Sequence, residues 1–256
     1  MLHKILQAKQ EEIQKLKNLA EQGLLPDPEQ TRSRPGLQRA IWASGPGAVI
    51  AEYKRASPSR GEINPDLGPG DAAQAFVQGG AAAVSVLTMP QFFQGELGFL
   101  QQISPCGLPL LHKDFILHPL QVRQTAHTPA SALLLIARLF LQQPERLHEL
   151  YTLALELGLE PVLEIFQPQE LNLARELGTG LIQVNTRDLD TLQLDFGPAR
   201  EIIQEKKAGE TWILASGIQN REQVRDWSQA GFDAFLVGTW IMSGNDPAEA
   251  LKGLTM

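Results

Sequence analysis

Eight short apolar runs, spaced along the chain and separated by helix-like stretches, limit most sharply what this sequence can fold into. They fall at residues 48–53, 83–87, 109–111, 132–136, 161–166, 181–185, 212–215 and 234–237. Between them lie helical patterns such as 71–78, 119–125, 144–157, 168–177, 198–206 and 222–230. Several open with a proline in the first turn, and several end at a glycine, as at Gly79, Gly158, Gly178 and Gly231. Apolar runs alternating with helices specify βαβ units and a parallel sheet. The spacing predicts an α/β fold, either a (β/α)8 TIM barrel or a doubly wound open sheet. Polar residues decide between them. Glu52, Lys54, Lys113, Glu164, Asn185, Ser216 and Gly238 all lie at or just past the C-terminal ends of runs. Closing the sheet brings those ends to one mouth, whereas an open sheet would scatter them. The barrel is therefore expected over residues 47–256.

Ahead of it, residues 1–46 read as an N-terminal helical extension and connector packed on the barrel. Residues 1–23 carry Leu2, Ile5, Leu6, Ile13, Leu16 and Leu19 at helical spacing. Residues 24–46 are rich in Pro, Gly, Ser and Arg and contain one short predicted helix, 37–42.

Composition excludes several classes. With 43% hydrophobic and 20% charged residues among 256, the chain has enough apolar surface to offset its conformational entropy. A net charge of −7 gives no basic face for nucleic acid. Cys106 is the only cysteine, so neither a disulfide framework nor a cysteine-based zinc site is available, and a reducing, cytoplasmic setting is expected. The apolar stretch 132–137 falls far short of the ~18–20 residues that span a bilayer, and the N-terminus lacks a secretory h-region. His3, His112, His118, His127 and His148 have no metal-ligand spacing, so no metal is expected.

Glu52 and Lys54 stand two apart, which places them on one face of a strand. Inside a barrel such charges must pair or act, and a structural ion pair is the plain alternative. The loop from Arg55 through Ser57, Ser59 and Arg60 to Gly61 is dense in hydroxyls and cations, suited to covering an anion or simply solvated. Lys113, at a strand mouth, suits proton transfer, a Schiff base, or a bland pairing with Asp114. Glu164 is a carboxylate in an apolar run. Two carboxylates and two lysines at one mouth suggest acid–base chemistry on a carbon skeleton. Ser216-Gly217 and Gly238-Thr239 each put a glycine and a hydroxyl past a strand, where backbone N–H groups and a helix N-terminus can hold phosphate. Gly68-Pro69-Gly70-Asp71-Ala72-Ala73 fits a dinucleotide-binding pattern only superficially. No strand precedes it and Pro69 lacks an N–H, so it reads as a helix-capping loop.

Two stretches are highly specific, Ala51-Glu52-Tyr53-Lys54-Arg55-Ala56-Ser57-Pro58-Ser59-Arg60-Gly61 and Leu108-Pro109-Leu110-Leu111-His112-Lys113-Asp114-Phe115-Ile116, and Ser85-Val86-Leu87-Thr88 lies between them. With Val162-Leu163-Glu164, Asn185-Thr186-Arg187-Asp188-Leu189 and Ser216-Gly217-Ile218, in this order, the chain resembles indole-3-glycerol phosphate synthase over about residues 48–256. The resemblance implies a carbon–carbon lyase (carboxy-lyase) of tryptophan biosynthesis. It would convert 1-(2-carboxyphenylamino)-1-deoxyribulose 5-phosphate to indole-3-glycerol phosphate, carbon dioxide and water, without a cofactor. It implies Lys113 as the acid for ring closure, and Lys54, Glu52 and Glu164 for dehydration. Asn185 and Ser57 would orient substrate, and Arg187 would lie near the anthranilate carboxylate. Lys54, Ser216, Gly217, Gly238 and Thr239 would hold phosphate, and Phe92 or Phe93 would wall the aromatic ring. The expected partner is one phosphorylated small molecule, with no nucleic acid or membrane, on a monomer or weak homo-oligomer.

Six departures qualify the resemblance. Ala215 stands where the family usually has Glu, Met89 where an acidic residue is common, and Phe166 where His is common. Thr186 interrupts the usual Asn-Asn-Arg, His112 replaces an Arg, and Ser131 replaces a frequent Asp. The remaining acid–base set is expected to suffice. A diverged paralogue acting on a related arylamino or sugar phosphate, or a non-catalytic phosphate-binding barrel, are the alternatives.

Overall fold

The computed structural model describes residues 1–24 and 34–255, so part of the connector expected over 24–46 lies outside the described residues. Eight parallel strands close into a barrel: β1 (Ala48–Tyr53), β2 (Ala83–Leu87), β3 (Leu110–Lys113), β4 (Ala132–Ile136), β5 (Glu160–Ile165), β6 (Leu181–Asn185), β7 (Thr211–Ala215) and β8 (Ala234–Val237). Each strand pairs with its sequence neighbours, and β1 also pairs with β8, with Ala51 opposite Val237. Helices lie between consecutive strands, so the connections alternate as the apolar runs predict. The closed ladder settles the choice between barrel and open sheet.

Both faces of the strands are buried, which is why they read as continuous apolar runs rather than alternating ones. On β1, Val49, Ala51 and Tyr53 face outward into a layer containing Phe76 and Leu100 from the surrounding helices. Ala48 and Ile50 face inward, with Ile213, Leu134 and Leu236 from other strands. Glu52 shares this inward face.

Strand limits differ from expectation by a residue or two. The third strand runs on through Lys113, and the fifth starts at Glu160 and stops before Phe166. Lys54 lies just past β1 rather than on it. The helix expected over 168–177 is a short 3-10 turn, Pro168–Glu170, followed by the α-helix Leu171–Leu177. The Gly68 segment caps the helix Pro69–Gln78, as the missing strand before it implied.

Two N-terminal helices cover opposite ends of the barrel. Helix α2 (Leu37–Ser44) closes the end where strands begin: the Glu160 carboxylate accepts from the Leu37 and Gln38 N–H groups at 2.6 and 3.1 Å. Its Leu37 and Ile41 are buried against the inner cluster. Helix α1 (Leu2–Glu21) crosses the opposite rim, where Ile5 lines the mouth. The expected apolar stripe is corrected in two places. Leu19 is 39% exposed, while Lys9, one turn from Ile5 and one from Ile13, is fully buried. Its ammonium meets the Asp114 carboxylate at 2.7 Å and Glu12 at 2.7 Å.

Burial alone would favour the neutral Asp114 carboxyl. The nearby His112 ring, 3.8 Å away, and the Lys9 ammonium outweigh that and hold it well below the usual carboxylate range. Breaking a buried pair by removing one partner leaves an uncompensated charge. Lys9→Met is therefore expected to cost about 3–5 kcal/mol of unfolding free energy in urea titrations. Lys15→Met on the exposed face should cost less than about 0.5 kcal/mol.

Candidate active site

At the C-terminal ends of the strands the barrel opens into a cavity of about 420 Å³. Lining it from β1 and the loop after it are Glu52, Lys54, Ser57, Ser59 and Arg60. Lys113 comes from β3, Glu164 from β5, Asn185 and Arg187 from the end of β6, and Ala215, Ser216 and Gly217 from the end of β7. Gly238, Thr239 and Trp240 complete the ring after β8. Twelve of the thirteen residues singled out from sequence thus border one space. Phe92 does not: Phe93 lines the cavity, while Phe92, in a left-handed backbone conformation (φ 71°), packs partly against the inner cluster.

Glu52 is the electrostatic centre. It is 4% exposed, and its carboxylate is 2.8 Å from the Lys54 ammonium and 3.9 Å from that of Lys113. Desolvation works against its charge, but the two lysines, with Arg187 further off, hold it below its ordinary value. The Lys113 contact exceeds hydrogen-bond length, so this ammonium keeps its donors for a ligand. Lys54 reaches Glu52 from just beyond the strand, so the expected pairing holds although the two do not share the strand itself.

Two glycines are required here by contact. A Cβ on Gly238 would collide with the Glu52 carboxylate, and one on Gly217 would lie 2.5 Å from the Phe196 ring. Ser216 and Gly217 both have positive φ (73° and 82°), so the chain turns sharply just past β7. The Asn185 Oδ1 fixes this turn by accepting from the Ser216 hydroxyl at 2.9 Å and from the Arg187 N–H at 3.0 Å. Thr186 adds a second fastening, its hydroxyl donating to the Ser216 carbonyl at 3.0 Å. The loop 55–61 folds into a small hairpin, Ala56–Ser57 against Gly61–Glu62, that buries Ser57 and leaves Arg60 exposed at the rim.

Beside the cavity, Arg138 ties three loops together. It pairs with Glu170 at 3.3 Å and Asp188 at 3.0 Å, and its guanidinium stacks over Phe166 at 5.0 Å. Asp188 follows Arg187, so this anchor fixes the Arg187 loop. Burial would raise Asp188, yet hydrogen bonds from Thr191, Arg138 and Asp190 bring it down to about 2. Sequence reasoning missed Arg138 because nothing local marks its role; its partners come from two other loops. It also missed Gln183, although an amide in the middle of the run 181–185 was visible.

The arrangement offers an anion cradle, a buried carboxylate with two ammoniums, a second carboxylate opposite, and an apolar wall from Leu134, Ile136 and Phe93. It can grip a phosphate while moving protons on a flat apolar group.

Comparison with known proteins agrees with this geometry. Residues 2–254 match the family model described as indole-3-glycerol phosphate synthase. The indole-3-glycerol phosphate synthase of Desulfosudis oleivorans is 40% identical over 217 residues, covering 84% of this chain and 82% of that one. That of Bordetella pertussis is 36% identical over 259 residues, covering 99% and 98%. Among solved structures, 3-hexulose-6-phosphate synthase from Salmonella typhimurium aligns with TM-score 0.63 at 14% identity, covering 81% of this chain and 96% of that one. The N-acetylmannosamine-6-phosphate 2-epimerase from Clostridium perfringens aligns at 0.61 and 18%, covering 88% and 97%. At such identities these two speak for the barrel alone.

Two outcomes follow from the geometry. Gly238→Ala should cost about 1–3 kcal/mol by overpacking, and a double-mutant cycle with Glu52→Ala should recover at least about 1 kcal/mol of it. Because folding lowers the Asp188 pKa, its stabilisation is complete above about 3.8 and is lost as pH falls toward about 2. Acid titrations of Asp188→Asn should lack that increment.

Proposed function

The chain belongs to the indole-3-glycerol phosphate synthase family, and on that premise we propose how the residues at its barrel mouth divide the work. The reaction is the ring closure of 1-(2-carboxyphenylamino)-1-deoxyribulose 5-phosphate, with loss of carbon dioxide and water, in tryptophan biosynthesis. The ring carbon bearing the carboxylate attacks the ribulose carbonyl carbon, and the carbonyl oxygen must gain a proton as the bond forms. Lys113 supplies it: its ammonium lines the cavity and, among the described residues, is committed to no close acceptor. Carbon dioxide then leaves and the ring regains aromaticity. In the last step the new hydroxyl departs as water while a proton leaves the adjacent carbon. That step needs an acid and a base, taken from Lys54, Glu52 and Glu164. The steps balance with protons alone.

The phosphate lies against the backbone N–H groups of Ser216 and Gly217 and of Gly238 and Thr239, with Lys54 as countercharge. Left-handed Ser216 and Gly217 support this reading, because their N–H groups are free of strand pairing. Arg187 takes the anthranilate carboxylate, Asn185 and Ser57 orient the chain, and Phe93 walls the ring. Among the described residues the Asn185 Nδ2 donates to nothing, which leaves it for a substrate hydroxyl. The observation that carries the assignment is the convergence of two lysines and two carboxylates beside this cradle in one cavity. Ala215 lines the same cavity without a carboxylate, so Lys113 depends on Glu52 as its anionic neighbour. The reading extends to a cytoplasmic protein, supported by its single free cysteine, acting as a monomer or weak homo-oligomer.

Purified protein mixed with the substrate and followed by indole fluorescence should show turnover. Lys113→Ala should lower kcat by at least about 10³-fold while circular dichroism stays unchanged. Retention of turnover within about tenfold would remove Lys113 from its role.

A further inference from the structure

Gln183 is a polar side chain inside the barrel with no part in the scheme above. Gln183 lies on β6 two residues before Asn185, so it shares the inward face, and it is fully buried. It sits in register with Glu164 across the β5–β6 ladder. Its Nε2 donates to the Glu164 Oε2, while its own Oε1 is buried and accepts no hydrogen bond among the described residues. Glu164 is 3% exposed and forms no ion pair among the described residues; the Gln183 amide is its one hydrogen-bond partner there. Both carboxylates at the mouth are buried, yet they are held differently, Glu52 by two ammoniums and Glu164 by a neutral amide.

That difference has a chemical consequence. A carboxylate clamped by lysine is a weak base, because the cation favours the charged form. An amide donor fixes the orientation of a carboxylate and favours its ionised form more gently. Charged groups that share a cavity with Glu164 are Glu52, Lys54, Arg60, Lys113, Asp114, Arg138, Glu170 and Arg187. None of them pairs with it, and Ala215 on β7 brings no further carboxylate to the cavity. The orphaned Oε1 completes the picture. Once Glu164 holds a proton it becomes a donor, and half a turn of the amide presents an acceptor to it. A residue that must take up and return a proton is thereby held in both states.

We propose that Gln183 is a positioning residue for Glu164, orienting its carboxylate as the base of the dehydration step and following it through the protonated state. This rests on the function proposed above. The test compares wild type, Gln183→Met, which keeps the volume without the donor, and Gln183→Glu, which sets a second buried carboxyl beside Glu164. In Gln183→Met, kcat should fall about 10–100-fold with KM within about threefold, and the acidic limb of the kcat profile should move to higher pH. In Gln183→Glu that limb should move further in the same direction, since two adjacent carboxylates resist ionising together. A folded Gln183→Met with unchanged kcat and profile overturns the proposal. So does a uniform loss of activity with an unmoved acidic limb, which would mark a purely structural role. If Gln183→Met does not fold, an unmoved limb in Gln183→Glu is the overturning result. Absence of turnover in the wild type overturns the functional reading and this proposal together, which distinguishes that failure from the others.

Discussion

The ladder joining the first strand to the last governs the geometry of the mouth. With Ala51 opposite Val237, the next inward residue of β1, Glu52, comes level with the backbone just beyond β8. Only a glycine leaves room there, and Gly238 provides it. The carboxylate is then buried where Lys54 and Lys113 can both reach it. Had the sheet stayed open, β1 and β8 would be separate edges, and Glu52 would face neither Gly238 nor the turn it begins. Closure is thus an electrostatic event as well as a topological one, because it creates the buried anion around which the cations gather.

The buried carboxylates near the mouth are compensated by ammonium, amide or guanidinium donors. Glu52 has ammoniums, Glu164 an amide, Glu170 the Arg138 guanidinium and the Phe166 N–H, and Asp114 a lysine from outside the barrel. The last links the extension to the site. Asp114 follows Lys113 directly, so when α1 places Lys9 against it, the helix fixes the backbone that carries the Lys113 ammonium. Ile5 reaches the cavity from the same helix. The extension therefore forms part of the wall and part of the support of the mouth.

The barrel was legible in the sequence because strands buried on both faces appear as unbroken apolar runs, and because polar residues collected at their ends. Most of the lining followed for the same reason: on a barrel, position along a strand is nearly position in space. Features that escaped depend on partners distant in sequence. Lys9 interrupts an apolar stripe and looks like a surface residue until Asp114, 105 positions away, is brought to it. Phe92 and Phe93 are neighbours in a short irregular turn and both pack against the inner cluster, yet Phe93 alone of the two lines the cavity, a difference no local pattern announces. Gln183 was visible as an amide in mid-run, but its meaning required knowing that β5 sets Glu164 beside it.

Some departures from the family pattern also acquire a physical account. His112, in place of an arginine, lies between two threonines, with Nε2 at 2.8 Å from the Thr88 hydroxyl and Nδ1 at 2.8 Å from that of Thr125. Thr88 spends its single proton on the Asp114 carboxylate at 2.7 Å, so its oxygen must accept from His112. The Nε2 therefore carries a hydrogen, and the imidazole bonds to Asp114 through a hydroxyl, where a guanidinium could reach it directly. Thr186 likewise trades an amide for a hydroxyl that fastens β6 to the turn after β7. Phe166 gives Arg138 a ring to stack on where a histidine would bring a titratable one. Met89 fills the inner cluster, and the structure offers no account of Ser131, whose buried hydroxyl finds no partner among the described residues. Thr186 and Phe166 thus each hold a loop beside the cavity, one through its hydroxyl and the other through its ring.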